Sequence, residues 1–153
     1  PPGLATQGGT KTSEHVDGLL DALQDDAPVR PKLVHRLDKD TSGALLIART
    51  PRAAAFFSKA FSNRSARKTY WAIVTGVPAL DAGEIDLPLA KQPGTGGEKM
   101  HVSEVAGQPS VTRYRVLDRA GNNAAWVELH PLTGRTHQLR VHMAAIGHPI
   151  VGD

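Results

Sequence analysis

The run SVTRYRVLDRAGNNAAWVELHP, residues 110–131, constrains the fold more than any other part of the chain. Two segments rich in β-branched, aromatic and aliphatic residues flank Gly121-Asn122-Asn123, the residue types that reverse a chain tightly. The pattern predicts two strands joined as a hairpin, which commits this region to antiparallel pairing. KTYWAIVTG (68–76) is rich in the same residue types and predicts another strand. GALLIART (43–50) is a short apolar run and reads as a buried strand. TPRAAAFFSKAFSN (50–63) opens with Thr and Pro and predicts a helix. TSEHVDGLLDAL (12–23) carries a capping residue, an early Glu, and Val16, Leu19, Leu20 and Leu23 at helical spacing. TGRTHQLRVHMAAIG (133–147) reads as a helix bounded by Gly, with Leu139, Met143 and Ile146 able to face a core and His137 and Arg140 sharing a face at i, i+3. Residues 1–11 read as loop, 24–32 as a linker, and 91–109 as mostly loop with short extended pieces. The order is helix, strand, helix, several strands, helix. The expected class is α+β, a mixed, mostly antiparallel sheet with flanking helices.

At 153 residues the chain has room for one domain with a real core, and the expectation is a single unit over residues 1–153. It has no cysteine, which leaves no disulfide framework or thiolate zinc site and fits a reducing, cytoplasmic setting. No apolar run nears the roughly 18 residues of a membrane span, and no signal-peptide pattern opens the chain, so no membrane partner is expected. A net charge of +3 and a pI of about 9.5 give a mild basic bias, compatible with a polyanionic partner. PPGLATQGG begins without Met and GHPIVGD ends without a polar tail, so a fragment of a longer chain lacking both ends is expected.

Chemistry concentrates in VHRLDKDTSG, residues 34–43. Counted as a calcium loop from Asp38, the stretch supplies Asp40, Ser42 and Gly43 in place, but Leu46 and Arg49 stand where later ligands belong. An arginine at the bidentate position opposes a cation. An aspartyl-phosphate nucleophile would need its apolar strand before the motif and its threonine one position later. His137, His142 and His148 are spaced by five and six, which does not put two imidazoles on one helical face as i, i+4 does. What remains is Asp38 flanked by Arg36 and Lys39, and a second basic cluster of Arg135, His137, Arg140 and His142. Either cluster alone also fits a solvated basic face.

The motifs together resemble the RluA-type pseudouridine synthases. HRLDKDTSG resembles that family's active-site motif, KTYWAIVTG its Lys-x-Tyr motif, and GRTHQLRVHMAAIGHPIVGD (134–153) its third motif, with PPGLATQGG echoing a KPxG-like opening. They stand in the family's order over nearly the whole chain. EKMHVSEVAGQPSVTRYRVL resembles the branch acting on large-subunit ribosomal RNA, with a transfer-RNA enzyme or a catalytically silent RNA-binding module as alternatives. The resemblance implies the pseudouridine synthase catalytic-domain fold and a cofactor-independent, metal-free, monomeric isomerase that flips a uridine out of RNA and rejoins its base through C5. It implies Asp38 as catalytic carboxylate, Tyr70 against the target base, and Arg140 holding the carboxylate. Arg36 would enter the RNA where the uridine leaves. His35, Arg67, Lys68, Arg135, His137 and His142 become RNA contacts. No S4-type RNA-binding domain is visible, and relatives continue beyond the point where this chain stops.

An aspartate suits such a role. It ionises well below neutral pH without a base to activate it, and a neighbouring arginine favours and orients the charged form. A carboxylate serves as a nucleophile at an anomeric carbon or as a base. A hydrolytic glycosidase would need a second carboxylic acid, which the sequence does not place convincingly.

Overall fold

The computed structural model describes residues 1–9, 14–26, 28–63, 65–93 and 99–152. They form two compact units, Pro1–Ala66 and Arg67–Asp153.

In the first unit, α1 (Val16–Leu19) lasts a single turn and tightens into a 3₁₀ turn over Leu20–Leu23. This is shorter than the helix predicted for 12–23, and the predicted capping position at residues 12–13 lies outside the described residues. His15 is the cap instead, its Nδ1 accepting from Gly18 N at 3.0 Å. Gly18 in the helix interior, costing about 1 kcal/mol relative to Ala, helps explain why the helix stays short. Arg30 pairs with Asp17 and Asp21 and holds the returning chain against this turn. The predicted linker ends in β1 (Lys32–Leu33), which pairs antiparallel with β2 (Ile47–Ala48). The predicted strand over 43–50 shrinks to those two residues. Gly43 has φ +144, and Leu46 donates its N–H to a side chain, so neither continues a ladder. α2 (Pro51–Ser62) matches the helix expected there. Thr50 is extended and its Oγ1 accepts from Ala53 N at 3.2 Å, Pro51 sits where its missing N–H costs nothing, and Lys59 lies in the last turn.

The second unit is organised by the hairpin. Its strands follow as β3 (Tyr70–Thr75), β4 (Ala82–Asp86), β5 (Leu89–Lys91), β6 (Met100–Val102), β7 (Val111–Ala120) and β8 (Ala124–Pro131), then α3 (Gln138–Ala145). β7 and β8 reverse over residues 121–123, with Gly121 at φ +57. They lie at the centre of a four-stranded sheet of order β3-β8-β7-β4, and β5 and β6 pair separately. Every pairing between the named strands is antiparallel, in keeping with the expected α+β class. β4 and the start of β5 occupy a stretch that carried no assignment, and β6 is one of the short extended pieces expected within 91–109, whose residues 94–98 lie outside the described ones.

Strand periodicity decides which face is wet. Ala125, Val127 and Leu129 of β8 are buried with Val74, Ile85 and Met143, while Trp126 and Trp71 face outward and meet edge-on with centroids 5.4 Å apart. α3 covers the inner face through Met143, with Leu139 and Ile146 packed against the same cluster, as their spacing predicts. Each fully buried Val, Leu, Ile or Met side chain of this cluster stabilises the unit by about 1.5–3 kcal/mol. α3 is shorter than predicted. Residues 133–137 precede it, and His137 is left-handed (φ 51, ψ 23), so the expected shared helical face of His137 and Arg140 does not exist.

Candidate active site

The candidate residues divide between the two units. His35, Arg36 and Asp38 belong to the first, whereas Arg67, Lys68, Tyr70, Arg135, His137, Arg140 and His142 belong to the second.

In the first unit Asp38 opens a tight turn closed by Thr41 N donating to Asp38 O at 3.0 Å. The turn is held from outside by the first residues of the chain. Gly3 N donates to Lys39 O at 2.7 Å. Thr6, almost fully buried, donates its hydroxyl to Leu37 O at 2.8 Å and accepts from Leu37 N at 3.0 Å. One side chain thus satisfies both backbone groups of the residue immediately before Asp38. Asp38 is half-buried, and Arg36, two positions earlier, is exposed. His35, expected to contact RNA, is used within this unit. Its Nε2 accepts from Leu46 N at 2.8 Å and its ring stacks on Phe61 with centroids 4.5 Å apart. It therefore buttresses the turn from the α2 side.

In the second unit Tyr70 is the first residue of β3, opposite Leu129, half-buried and packed partly on the core. Arg67 is exposed and Lys68 half-buried just before it. Burial lowers the Lys68 ammonium pKa below the ordinary lysine value, and no carboxylate contributes to the shift. The Lys68 Nζ approaches the backbone of the TGR segment, 3.7 Å from where a Cβ on Gly134 would lie. Arg135 is half-buried and donates through Nε to Pro109 O at 3.3 Å. Arg140 is half-buried within α3.

His142 corrects an expectation. It was read as an RNA contact, yet it is fully buried. Its Nδ1 lies 2.8 Å from Thr112 Oγ1 and its Nε2 2.9 Å from Leu87 O. Burial pushes its pKa below the ordinary 6.5, outweighing the opposing pull of Leu87 O and Asp86. Because the folded chain refuses a proton that the unfolded chain accepts, stability is complete above the unfolded pKa and is lost as pH falls below it. The melting temperature is expected to drop between pH 7.5 and 5.5, and His142→Asn to flatten that slope while lowering stability throughout. Glu128, held down at about 2 by His130, Trp71 and Arg115, stays ionised across this window and does not confuse the reading. Equal slopes for the two proteins would count against the assignment.

Thr6, Thr112, Thr133 and Gln138 were given no individual role by sequence reasoning. Only their lying in or beside the quoted motifs could have flagged them. Among the described residues no three metal-ligating side chains gather, and no helix is long and apolar enough to cross a membrane.

Comparison with known proteins gives a consistent result. The family model described as RNA pseudouridylate synthase matches residues 1–145. The chain is 41% identical to the ribosomal large subunit pseudouridine synthase C of Rickettsia bellii over all of its own length and 50% of that protein's. It is 42% identical to the dual-specificity RNA pseudouridine synthase RluA of Escherichia coli K12, covering 68% of that protein. Among solved structures, human RNA pseudouridylate synthase domain containing 4 superposes with a TM-score of 0.83 at 33% identity, over 100% of this chain and 62% of that one. The chain thus spans half the length of its Rickettsia relative.

Proposed function

Since the chain belongs to the RNA pseudouridylate synthase family, we propose that the protein containing it converts uridine to pseudouridine in large-subunit ribosomal RNA, with Asp38 as the catalytic carboxylate. The observation that carries this reading is the turn of residues 35–41, in which an aspartate is presented by a backbone held by the Thr6 hydroxyl and by main-chain bonds from Gly3 and Thr41. All of its partners fall inside the family match.

The reaction breaks the N1–C1′ and C5–H bonds, turns the uracil and forms the C5–C1′ and N1–H bonds, so atoms are conserved and no redox partner is needed. Attack on C1′, addition to the ring and proton abstraction leading to a glycal all begin from the same placed carboxylate. A uridine stacked in RNA must leave the stack first, at a cost of a few kcal/mol. The exposed Arg36 is assigned to the gap, Tyr70 to stacking on the flipped base at roughly 1–3 kcal/mol, and Arg140 to holding the carboxylate. Arg67, Lys68, Arg135 and His137 are assigned to the phosphates. The names of the relatives support the ribosomal substrate. The dual-specificity name of the E. coli relative favours, as a second reading, an additional RNA substrate such as transfer RNA.

The test is to incubate the protein with uridine-containing ribosomal RNA in the presence of EDTA and to map pseudouridine. Appearance at discrete positions supports the reading, and no pseudouridine sinks it. A narrower prediction concerns Lys68. A half-buried ammonium is suited to a phosphate, and each phosphate contact to a single strand contributes about 0.7 to the salt slope of binding. Lys68→Gln is expected to reduce the slope of log K against log salt by about that amount. An unchanged slope in titrations across salt concentrations would remove Lys68 from the interface.

A further inference from the structure

A chain of buried hydrogen bonds runs from β7 through the TGRTHQ segment to α3. Gln138 is at its centre, nearly fully buried. Its Oε1 accepts from Thr133 Oγ1 at 2.6 Å and from Arg135 N at 3.0 Å. Its Nε2 donates to Val111 O at 2.9 Å and to Thr112 Oγ1 at 3.0 Å. All four bonding positions of the amide are used. The neighbours leave each proton one place to be. Leu87 O only accepts, so Nε2 of His142 carries its ring proton and Nδ1 accepts from the Thr112 hydroxyl. With its own proton so committed, Thr112 Oγ1 can only accept from Gln138. Thr133 likewise accepts from Val111 N at 3.0 Å and donates to Gln138. A saturated buried network of this kind rigidifies what it joins.

What it joins is a strained turn. His137 precedes α3 in the left-handed region. A residue with a Cβ keeps that conformation only where its surroundings enforce it, and such enforcement is commonest at functional sites. Here the turn is closed from both sides by Gln138. Its N donates to Arg135 O at 3.2 Å and its side chain takes Arg135 N. The heading of α3's first turn, and so the place of Arg140 two residues on, follows from the conformation of His137.

We infer that Gln138, acting with Thr112, Thr133 and His142, is a positioning residue that holds His137 left-handed and thereby orients Arg140 and Arg135 for the reaction. It rests on the reading of Arg140 as the partner of the catalytic carboxylate, and it assigns function to side chains that touch neither RNA nor carboxylate.

Three variants of the whole protein test it: Gln138→Met, which keeps the shape and removes the bonds, Thr112→Val, which removes the hydroxyl linking Gln138 to His142, and Thr112→Ser, which keeps it. The single-turnover rate of pseudouridine formation at saturating protein is expected to fall roughly 10- to 100-fold in the first two, beyond any weakening of RNA binding through Arg135 and His137, and to be normal in Thr112→Ser. Amide hydrogen exchange should quicken at residues 135–140 and stay unchanged in the rest of the second unit. A wild-type rate in Gln138→Met, a loss confined to Kd, or exchange that quickens uniformly overturns the proposal. If Gln138→Met does not fold, the Thr112 pair decides by the same criteria. Inert wild-type protein would instead overturn the reading of function, and the exchange pattern would still show whether Gln138 holds the turn.

Discussion

Asp38→Asn is expected to lower the rate of pseudouridine formation by at least about 10³-fold, the scale on which loss of a group that does the chemistry is felt. Asparagine matches the shape of aspartate but is neither an anionic nucleophile nor a base at neutral pH. The bonds that build the turn end on its main-chain groups rather than on the carboxylate, so they survive the change. Thr41 N donates to Asp38 O, Gly3 N to Lys39 O, and Thr6 bonds Leu37. The variant should therefore fold and bind RNA at least as well as wild type, since one negative charge facing a polyanion is gone. Single-turnover conversion of ribosomal RNA, measured beside binding on the same transcript, separates the two quantities. Equal product from Asp38→Asn and wild type would show that the carboxylate is not catalytic. Loss of binding in step with activity would show that it serves the fold or the interface.

Which parts of this architecture were legible in the sequence follows from the range of the interactions that fix them. The hairpin of β7 and β8 was legible because its signals are local: alternating side chains and Gly121 at the reversal. α2 was legible for the same reason, with Thr50 as cap and Pro51 at its first position. β4 was not. Its Ala-Gly-Glu opening has poor strand propensity, and it becomes a strand with Gly83 directly opposite Tyr114, where the missing side chain leaves room for the ring. A Cβ at Gly83 would come within 2.7 Å of the Tyr114 ring. The strand expected over 43–50 failed in the opposite way, since its apolar residues were visible but the claim of His35 on Leu46 N was not. His142 shows the limit most clearly. A histidine in a basic cluster reads as a surface residue, and only Thr112, 30 positions away, and Leu87, 55 positions away, supply the partners that let it be buried. For the site, the residue types of the motifs came from the sequence and their roles from resemblance. The side chains that hold those motifs in place came only from the fold.

Thr6 is where that distinction carries its largest consequence after Asp38. Thr6→Val removes a hydroxyl that both donates to Leu37 O and accepts from Leu37 N, while keeping the branched shape. It leaves two backbone groups without their partner, at a cost of about 1–3 kcal/mol for each that water does not reach. The same substitution frees the residue next to Asp38. A carboxylate displaced by even about 1 Å from its working position loses rate on the order of 10²-fold. Thr6→Val is thus expected to lower the melting temperature and to slow single-turnover conversion by roughly 10- to 100-fold, with RNA affinity retained because no phosphate contact is assigned to Thr6. Thr6→Ser keeps the hydroxyl and should recover most of both losses. If Thr6→Val melts earlier but reacts at the wild-type rate, the clamp only stabilises the first unit. If the rate falls and serine restores it, the opening residues of the chain, which read as loop, belong to the machinery that aims Asp38.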